Sequence, residues 1–324
     1  MQQLESIPVC QIRPTGLLLY DLTLNHHPGR IHQREKEAST QANQKGKSQD
    51  HLTEKAAYSG DMSPGSIRRL KRSIQTLVAI AEPKEAPRLK GTGTFTFKLN
   101  FITLTLPAPQ DNITDKYLKK ECLNPFIKEL QRKHGLRSYI WKAEKQQNGN
   151  LHFHLTTDTY LHFNTVRSTW NYHLQKTGLI EKFRAKYGHS NPPTEQVKAV
   201  QKVQNLCAYL VKYMAKQNKD GLKIDGKMWD CSLNLKQKIK CEMEVDSETH
   251  EWITETINQY PNQLIQGERF LFIYLPEALF KQVITSKYRD MYEEWILKIR
   301  NWKPPDRKKQ LVRLDQPNPR KFSI

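Results

Sequence analysis

The chain has 324 residues, which corresponds to two domains of average size or to one domain with long extensions. Lys and Arg number 52 against 33 Asp and Glu, so the formal net charge is +19, which favours a polyanionic partner, either nucleic acid or an anionic membrane surface. The longest apolar runs reach only about five residues against the ~20 of a transmembrane helix, which excludes a membrane-spanning protein. Five scattered cysteines without a CxxC pair are typical of a reducing cytoplasm rather than of a disulfide scaffold or a zinc ribbon.

The amino-terminal region is predicted to be a disordered leader over residues 1–62. Between residues 25 and 55 only four side chains belong to the hydrophobic set, so this stretch cannot bury enough apolar surface to offset the entropy lost on ordering. The first ten residues lack the basic and apolar regions of a secretory signal, so the protein is expected to stay in the cytoplasm.

An amphipathic helix is predicted to follow, beginning at Ser63-Pro64 and ending before Glu82-Pro83. Its apolar residues recur at helical spacing, and its first half carries Arg68, Arg69, Lys71 and Arg72. The basic face has two interpretations. It is a solvated face of a packing helix, or it also contacts phosphates.

From Thr94 the apolar period changes from helical spacing to two, and the phase shift at Asn100-Phe101 indicates a bend within a long strand that ends at Pro107. The remaining predicted elements are a helix over 114–134, two strands over 138–145 and 150–157, helices over 165–176 and 205–216, a strand over 269–275 and helical structure over 277–302. A basic tail follows from residue 298. No Walker-type GxxxxGK[ST] motif occurs.

The first candidate site is His152-Phe153-His154, which lies on a predicted strand. Side chains two apart in a strand share a face, so both imidazoles point the same way, but two ligands do not make a metal site. A two-residue Asn-Gly loop would aim Glu144 at the wrong face. A three-residue turn ending in a left-handed Gly149 places Glu144 opposite His152, and we predict this turn. The alternative is a half-buried strand with two incidental histidines.

The second candidate site is a helix with two Tyr-x-x-Lys units, whose members fall within one arc of ~100° and are Tyr209, Lys212, Tyr213 and Lys216. A phenol is a weak nucleophile at its ordinary pKa of ~10, and a nearby ammonium or metal favours the phenolate. Tyrosine suits reversible phosphodiester cleavage, because a freed 3′-hydroxyl can attack an aryl phosphate ester. The alternative is a solvated face of amphipathic side chains.

Taken in order, three motifs resemble the HUH endonuclease superfamily, and specifically the rolling-circle replication initiators of single-stranded DNA phages and small plasmids. The strand FITLTLP at 101–107 is similar to the first motif of the family, the histidine pair to the second and the doubled tyrosine to the third. The resemblance covers residues 92–235, so the expected organisation is a leader, a basic helix with linker over 63–90, an endonuclease domain over 91–235 and an extension over 236–324.

The resemblance implies an α+β fold, with a ferredoxin-like antiparallel sheet, helices on one face and a carboxy-terminal α/β extension. It implies that Glu144, His152 and His154 hold Mg²⁺ or Mn²⁺, with Glu144 as the acidic ligand. Tyr209 would attack the phosphate and Tyr213 would perform the later transfer. Lys212 and Lys216 would clamp phosphate or assist the leaving oxygen.

The implied substrate is single-stranded or hairpin DNA at a replication origin, in the cytoplasm of a bacterial host. Because no helicase domain follows, a host helicase and a host polymerase are the expected partners. Strand contacts are expected from Arg132, Lys133, Lys182, Arg184 and Lys186, with Trp141 and Trp170 available for base stacking. Two other functions are considered, an HUH transposase or relaxase and a single-stranded DNA-binding protein that does not cleave.

Overall fold

A computed structural model describes residues 5–24, 61–88, 92–200, 206–214, 223–237, 239–267, 270–275, 277–284 and 286–304. The chain forms two compact units. The small unit combines residues 1–61 with 240–289, and the large unit combines residues 62–239 with 290–324. No helix in the described ranges is long and apolar enough to cross a membrane.

The large unit is built on a five-stranded antiparallel sheet. Its strands, in spatial order, are β8 (Glu195–Val200), β5 (Leu99–Leu104), β7 (Leu151–Thr157), β6 (Tyr139–Lys145) and β9 (Trp229–Cys231). A separate two-stranded sheet pairs β3 (Lys84–Pro87) with β4 (Thr94–Phe97). The long strand predicted from Thr94 is therefore two strands, which separate at Lys98.

Five helices of the large unit bear on the site. They are α1 (Pro64–Ile80), α2 (Asn124–His134), α3 (Phe163–Leu174), α4 (Leu179–Tyr187) and α5 (Leu206–Met214). The chain enters α2 through a helical turn, Asp115–Tyr117, and a π-helical stretch, Leu118–Leu123. Pro125 lies in the first turn of α2, where its missing N–H costs no hydrogen bond, and Gly135 ends the helix in the left-handed region, as predicted.

Helices pack against both faces of this sheet. On one face Trp170 of α3 contacts Phe153 of β7, with ring centroids 6.0 Å apart, and Phe126 of α2 packs edge-on against Trp170. On the other face Met214 of α5 accepts a hydrogen bond from Thr156 of β7. The expectation of helices on one face was wrong, because both faces of the central strands carry buried side chains that need cover.

The small unit is a second five-stranded antiparallel sheet that joins segments from distant parts of the chain. Its spatial order is β10 (Cys241–Glu244), β1 (Glu5–Arg13), β2 (Gly16–Leu24), β12 (Phe270–Tyr274) and β11 (Leu264–Gln266). The helices α6 (Ser247–Gln259) and α7 (Glu277–Val283) belong to it, and α8 (Ser286–Arg300) starts in it.

The prediction of a disordered leader over 1–62 was wrong for residues 5–24, which form the hairpin β1–β2. Its core side chains, including Cys10, Ile12 and Leu17, are almost fully buried. The prediction failed because β1 pairs with β10 and β2 pairs with β12, partners more than 220 residues away. Residues 25–60, on which the low apolar content was argued, lie outside the described part of the chain.

Candidate active site

The hairpin of β6 and β7 positions the three candidate metal ligands. Its loop is Gln147-Asn148-Gly149, with Gly149 at φ +80°, and Glu144 stands directly opposite His152. The predicted three-residue turn and its register are confirmed. Because opposed residues of antiparallel strands share a face, the carboxylate of Glu144 lies on the same side of the sheet as both imidazoles.

These three side chains converge on one point. Glu144 Oε2 lies 3.4 Å from His152 Nε2 and 3.2 Å from His154 Nε2. All three ligand atoms lie within 4.8 Å of one another, and within the described ranges no other group of three such residues meets this criterion. The three residues are half-buried, so the cluster is packed at its base and accessible from one side.

The strand β5 supports His154 from the neighbouring position. Thr103 stands opposite His154, and its Oγ1 lies 3.1 Å from His154 Nδ1. Phe101 stacks on the same imidazole, with ring centroids 5.4 Å apart and 23° between the planes. The hydroxyl of Thr103 donates to Nδ1 when Nε2 carries the proton, and accepts from it when Nε2 binds a metal ion. Thr103 therefore fixes the ring in either state.

His152 is held differently. Its Nδ1 atom is buried and has no hydrogen-bond partner in the part of the chain that the structure describes. Its ring packs edge-on against that of His154, with centroids 4.6 Å apart. The two imidazoles therefore differ in support: Thr103 fixes His154, while the orientation of His152 depends on its two neighbours in the cluster.

The electrostatics of the cluster favour metal ligation. Hydrogen bonds from His152 and His154 hold the pKa of the Glu144 carboxyl well below its usual range, so Glu144 is ionised at neutral pH. Burial, together with the charge of nearby cations, lowers the pKa of His154 below its ordinary value, so that imidazole is neutral. An ionised carboxylate and a neutral imidazole are the forms that bind divalent ions.

Sequence reasoning missed Lys142, which is fully buried and stands opposite His154 on the same face. Its positive charge contributes to the lowered pKa values of both Glu144 and His154. The signal was available, since Lys142 precedes Glu144 by two residues on one strand and must share its face.

The tyrosine helix α5 packs on this same face of the sheet. Thr156, two residues beyond His154, donates through Oγ1 to the sulfur of Met214 over 3.4 Å. Leu210 and Met214 are fully buried, whereas Tyr209 is 37% exposed and Lys212 is exposed. The helix therefore buries its apolar side and presents Tyr209 on its more exposed side. The side chain of Tyr213 and all of Lys216 lie outside the described residues.

The two tryptophans expected to stack on DNA bases are buried instead. Trp170 is fully buried and Trp141 is 4% exposed. Trp170 packs between Phe126 and Phe153, and its Nε1 donates to the Thr105 carbonyl, so neither ring offers a free face. The error arose because a tryptophan that fills a core between helix and sheet has the same local pattern as an exposed one.

The donor set fits a six-coordinate divalent ion. In an octahedron with ligands at about 2.1 Å, neighbouring ligand atoms are roughly 3 Å apart, close to the two separations between Glu144 and the imidazoles. One carboxylate oxygen and two imidazole nitrogens leave further positions for oxygen ligands such as water or a phosphate. Glu144, His152 and His154 could therefore hold Mg²⁺ or Mn²⁺.

Residues 99–218 match a family model of replication-associated proteins of the ORF2 type. This segment is about a third of the chain and contains β5, the hairpin of β6 and β7, and α5, while α1 precedes it. The match is consistent with a rolling-circle replication initiator and supports a role in DNA replication. No curated protein and no solved structure matches the chain.

Proposed function

We propose that this protein initiates rolling-circle replication by nicking and rejoining single-stranded DNA at an origin through a covalent 5′-phosphotyrosine intermediate. The observation that carries the proposal is the convergence of Glu144, His152 and His154 on the face of the sheet against which α5 packs. The match to the replication-associated family supports the same role.

In this proposal Glu144, His152 and His154 hold Mg²⁺ or Mn²⁺. When bound, the ion polarises a non-bridging oxygen of the scissile phosphate and stabilises the charge that develops on it. The protein keeps the ligands in their binding states: Glu144 remains ionised, and Thr103 holds the ring of His154.

The nucleophile in this proposal is Tyr209. Its phenolic oxygen loses a proton to solvent and forms a bond to phosphorus, while the bond between phosphorus and O3′ breaks. The departing O3′ takes up a proton and becomes a 3′-hydroxyl, which can prime a polymerase. Lys212 and Lys216 place positive charge near the phosphate. Tyr213 later attacks in the same way at the regenerated origin, and the free 3′-hydroxyl displaces Tyr209 to close the circle.

The partners in this proposal are an origin in single-stranded or hairpin form and a host helicase and polymerase. The large unit contains the matched segment, and the sequence carries no Walker-type motif to power unwinding. The protein would therefore supply the strand break and the primer end, while the host supplies unwinding and synthesis.

The experiment is a covalent-adduct assay. Full-length protein is incubated with labelled stem-loop oligonucleotides and Mn²⁺, and adducts are resolved on a denaturing gel. Wild type should give a covalent band that EDTA prevents. Tyr209→Phe and Tyr213→Phe should each retain some adduct, and the double variant should give none. Tyr172→Phe is the matched control, because Tyr172 is 63% exposed on α3, which packs on the opposite face of the sheet.

Two outcomes would overturn the proposal. If wild type binds the oligonucleotides and forms no covalent band, the protein is a binding protein without cleavage. If the double variant still forms the band, the nucleophile is a different residue. A dead Tyr213→Phe variant with a normal Tyr209→Phe variant would reverse the order of attack and leave the chemistry intact.

A further inference from the structure

We propose that the exposed basic side of α1 binds the phosphates of the DNA strand next to the candidate active site. This basic surface consists of Arg68, Arg69, Lys71 and Arg72. The proposal rests on the proposed function, because it takes DNA to be the substrate of the large unit. It adds a binding surface that lies outside the segment matched by the replication-associated family.

The buried side of α1 anchors the helix on the face of the sheet that carries the histidines. Trp229 of β9 donates through Nε1 to Ser66 Oγ over 2.7 Å. Ser73 Oγ lies 3.6 Å from the sulfur of Cys231, two residues further along the same strand. These two contacts, seven residues apart on α1, fix the direction of the helix across β9.

One cross-strand row links this anchor to the metal ligands. Trp229 stands opposite Lys142, and Lys142 stands opposite His154. Since neighbouring strands are about 4.8 Å apart, Trp229 lies roughly 10 Å from His154 at the level of the backbone. The first turn of α1, which contacts Trp229 through Ser66, therefore lies within two nucleotides of the candidate site.

The charge of α1 is unbalanced in a way that other surfaces of the large unit are not. The helix contains no acidic residue, its four basic residues lie within five positions, and all four are exposed. In the described chain no hydrogen bond or ion pair engages their charged groups. By contrast, Lys227 and Lys236 both pair with Asp230.

This arrangement is unfavourable for a helix that serves only as packing. Arg68 is three and four residues from Lys71 and Arg72, the spacing at which like charges repel on a helix surface. Cations in the first half of a helix also oppose its dipole. Phosphates of a bound strand would relieve both effects, because they place negative charge over the same surface.

The test compares two charge-matched pairs of substitutions. Arg68→Gln with Arg72→Gln removes two charges four residues apart on α1. The control, Lys128→Gln with Arg132→Gln, removes two exposed charges at the same spacing on α2, which packs on the opposite face of the sheet. Binding of full-length protein to a fluorescent single-stranded oligonucleotide is followed by anisotropy in EDTA, across a series of salt concentrations.

We expect the α1 pair to weaken binding about tenfold and to reduce the slope of log affinity against log salt by about 1.4, since each phosphate contact to a single strand contributes about 0.7. The control pair should change affinity less than about twofold, with little change in slope. Arg68→Lys with Arg72→Lys should retain the wild-type slope, which shows that charge rather than helix stability is measured.

Equal slope changes in the α1 pair and the α2 pair would overturn the proposal, because the basic side of α1 would then act only through net charge. An unchanged slope in the α1 pair would overturn it as well. The adduct assay with saturating oligonucleotide separates this result from the proposed function. Loss of the α1 surface leaves the covalent band in place at saturation, whereas failure of the proposed chemistry removes the band from wild type.

Discussion

The two units of this protein differ sharply in charge. The large unit holds 40 Lys and Arg against 18 Asp and Glu, a formal charge of +22, whereas the small unit holds 12 against 15, a charge of −3. The whole basic excess of the chain therefore belongs to the unit that contains the candidate metal ligands and the tyrosine helix. Contacts to DNA phosphates are expected from the large unit, and the charge of the small unit has the wrong sign for them.

The units also differ in how they are assembled. The sheet of the large unit forms from segments between residues 99 and 231, including the local hairpin of β6 and β7. The sheet of the small unit needs strands from residues 5–24 and from residues 241–274. Chemistry and charge are concentrated in the first, so changes there should alter cleavage and binding. Changes in the second should leave the cleavage of a supplied oligonucleotide largely intact.

The largest effect is expected from Glu144→Ala. Removing the one carboxylate of the cluster should reduce Mn²⁺-dependent adduct formation by on the order of 100-fold or more, since loss of even a supporting residue of a metal site costs 10–100-fold. Binding of DNA in EDTA should stay within about twofold of wild type, because the basic surfaces are unchanged. Gel assays with a Mn²⁺ titration measure the first quantity and anisotropy the second.

Glu181→Ala, an exposed carboxylate on α4, is the control for this substitution. An unaltered Mn²⁺ titration in Glu144→Ala would remove Glu144 from the site.

The next effect is expected from Thr103→Val, which keeps the shape of the side chain and removes the hydroxyl that fixes His154 Nδ1. Mn²⁺ affinity should fall by about tenfold to 100-fold, because the ring loses the partner that orients it in both tautomers. Thr103→Ser should restore most of the affinity. Equal losses in both variants would show that packing at this position matters and the hydroxyl does not.

The pH dependence follows from the imidazoles. A histidine binds a metal ion only when neutral, and the ordinary pKa of histidine is about 6.5. Burial lowers the pKa of His154, so that residue stays neutral further into the acidic range, and Glu144 stays ionised below it. Mn²⁺-dependent cleavage should therefore be level from about pH 8 to pH 6.5 and fall about tenfold or more as the imidazoles protonate at lower pH. Rates at saturating DNA measure this, and a rise in rate on acidification would contradict it.

The smallest effect on cleavage is expected from Gly16→Ala in the small unit. A Cβ at Gly16 would overlap the backbone carbonyl oxygen of Ile273 on the paired strand β12. The substitution should weaken the pairing of β2 with β12 by about 2 kcal/mol, measured as faster hydrogen exchange in Phe270–Tyr274. Adduct formation on a supplied oligonucleotide should change less than about threefold. A loss as large as that of Glu144→Ala would show that the small unit takes part in the chemistry.

The candidate site was predictable from sequence because it depends on local rules. A three-residue turn with a left-handed Gly149 fixes the register of one hairpin, and that register places Glu144 opposite His152. The alternation of β5 places Thr103 on one face of its strand, and the structure adds that this face meets His154. Each of these steps involves neighbours in the chain or the side-chain period of a strand.

What the sequence did not reveal depends on distant contacts. The hairpin of β1 and β2 finds its partners beyond residue 240, and no local pattern names them. The burial of Trp141 and Trp170 follows from the helices that pack over the second face of the sheet. The support of α1 by Trp229 links residues 163 positions apart. Periodicity identifies such elements and cannot pair them.

The most direct test of the account is to identify the residue that carries DNA in the covalent adduct. Trypsin separates the two candidates, because cleavage after Lys202, Lys212 and Lys216 places Tyr209 and Tyr213 on different peptides. Mass spectrometry of the digested adduct formed with Mn²⁺ should find the nucleotide on one of these two tyrosines, mainly Tyr209, and no such peptide from Glu144→Ala. A nucleotide on any other residue, or an undiminished yield from Glu144→Ala, would contradict the account.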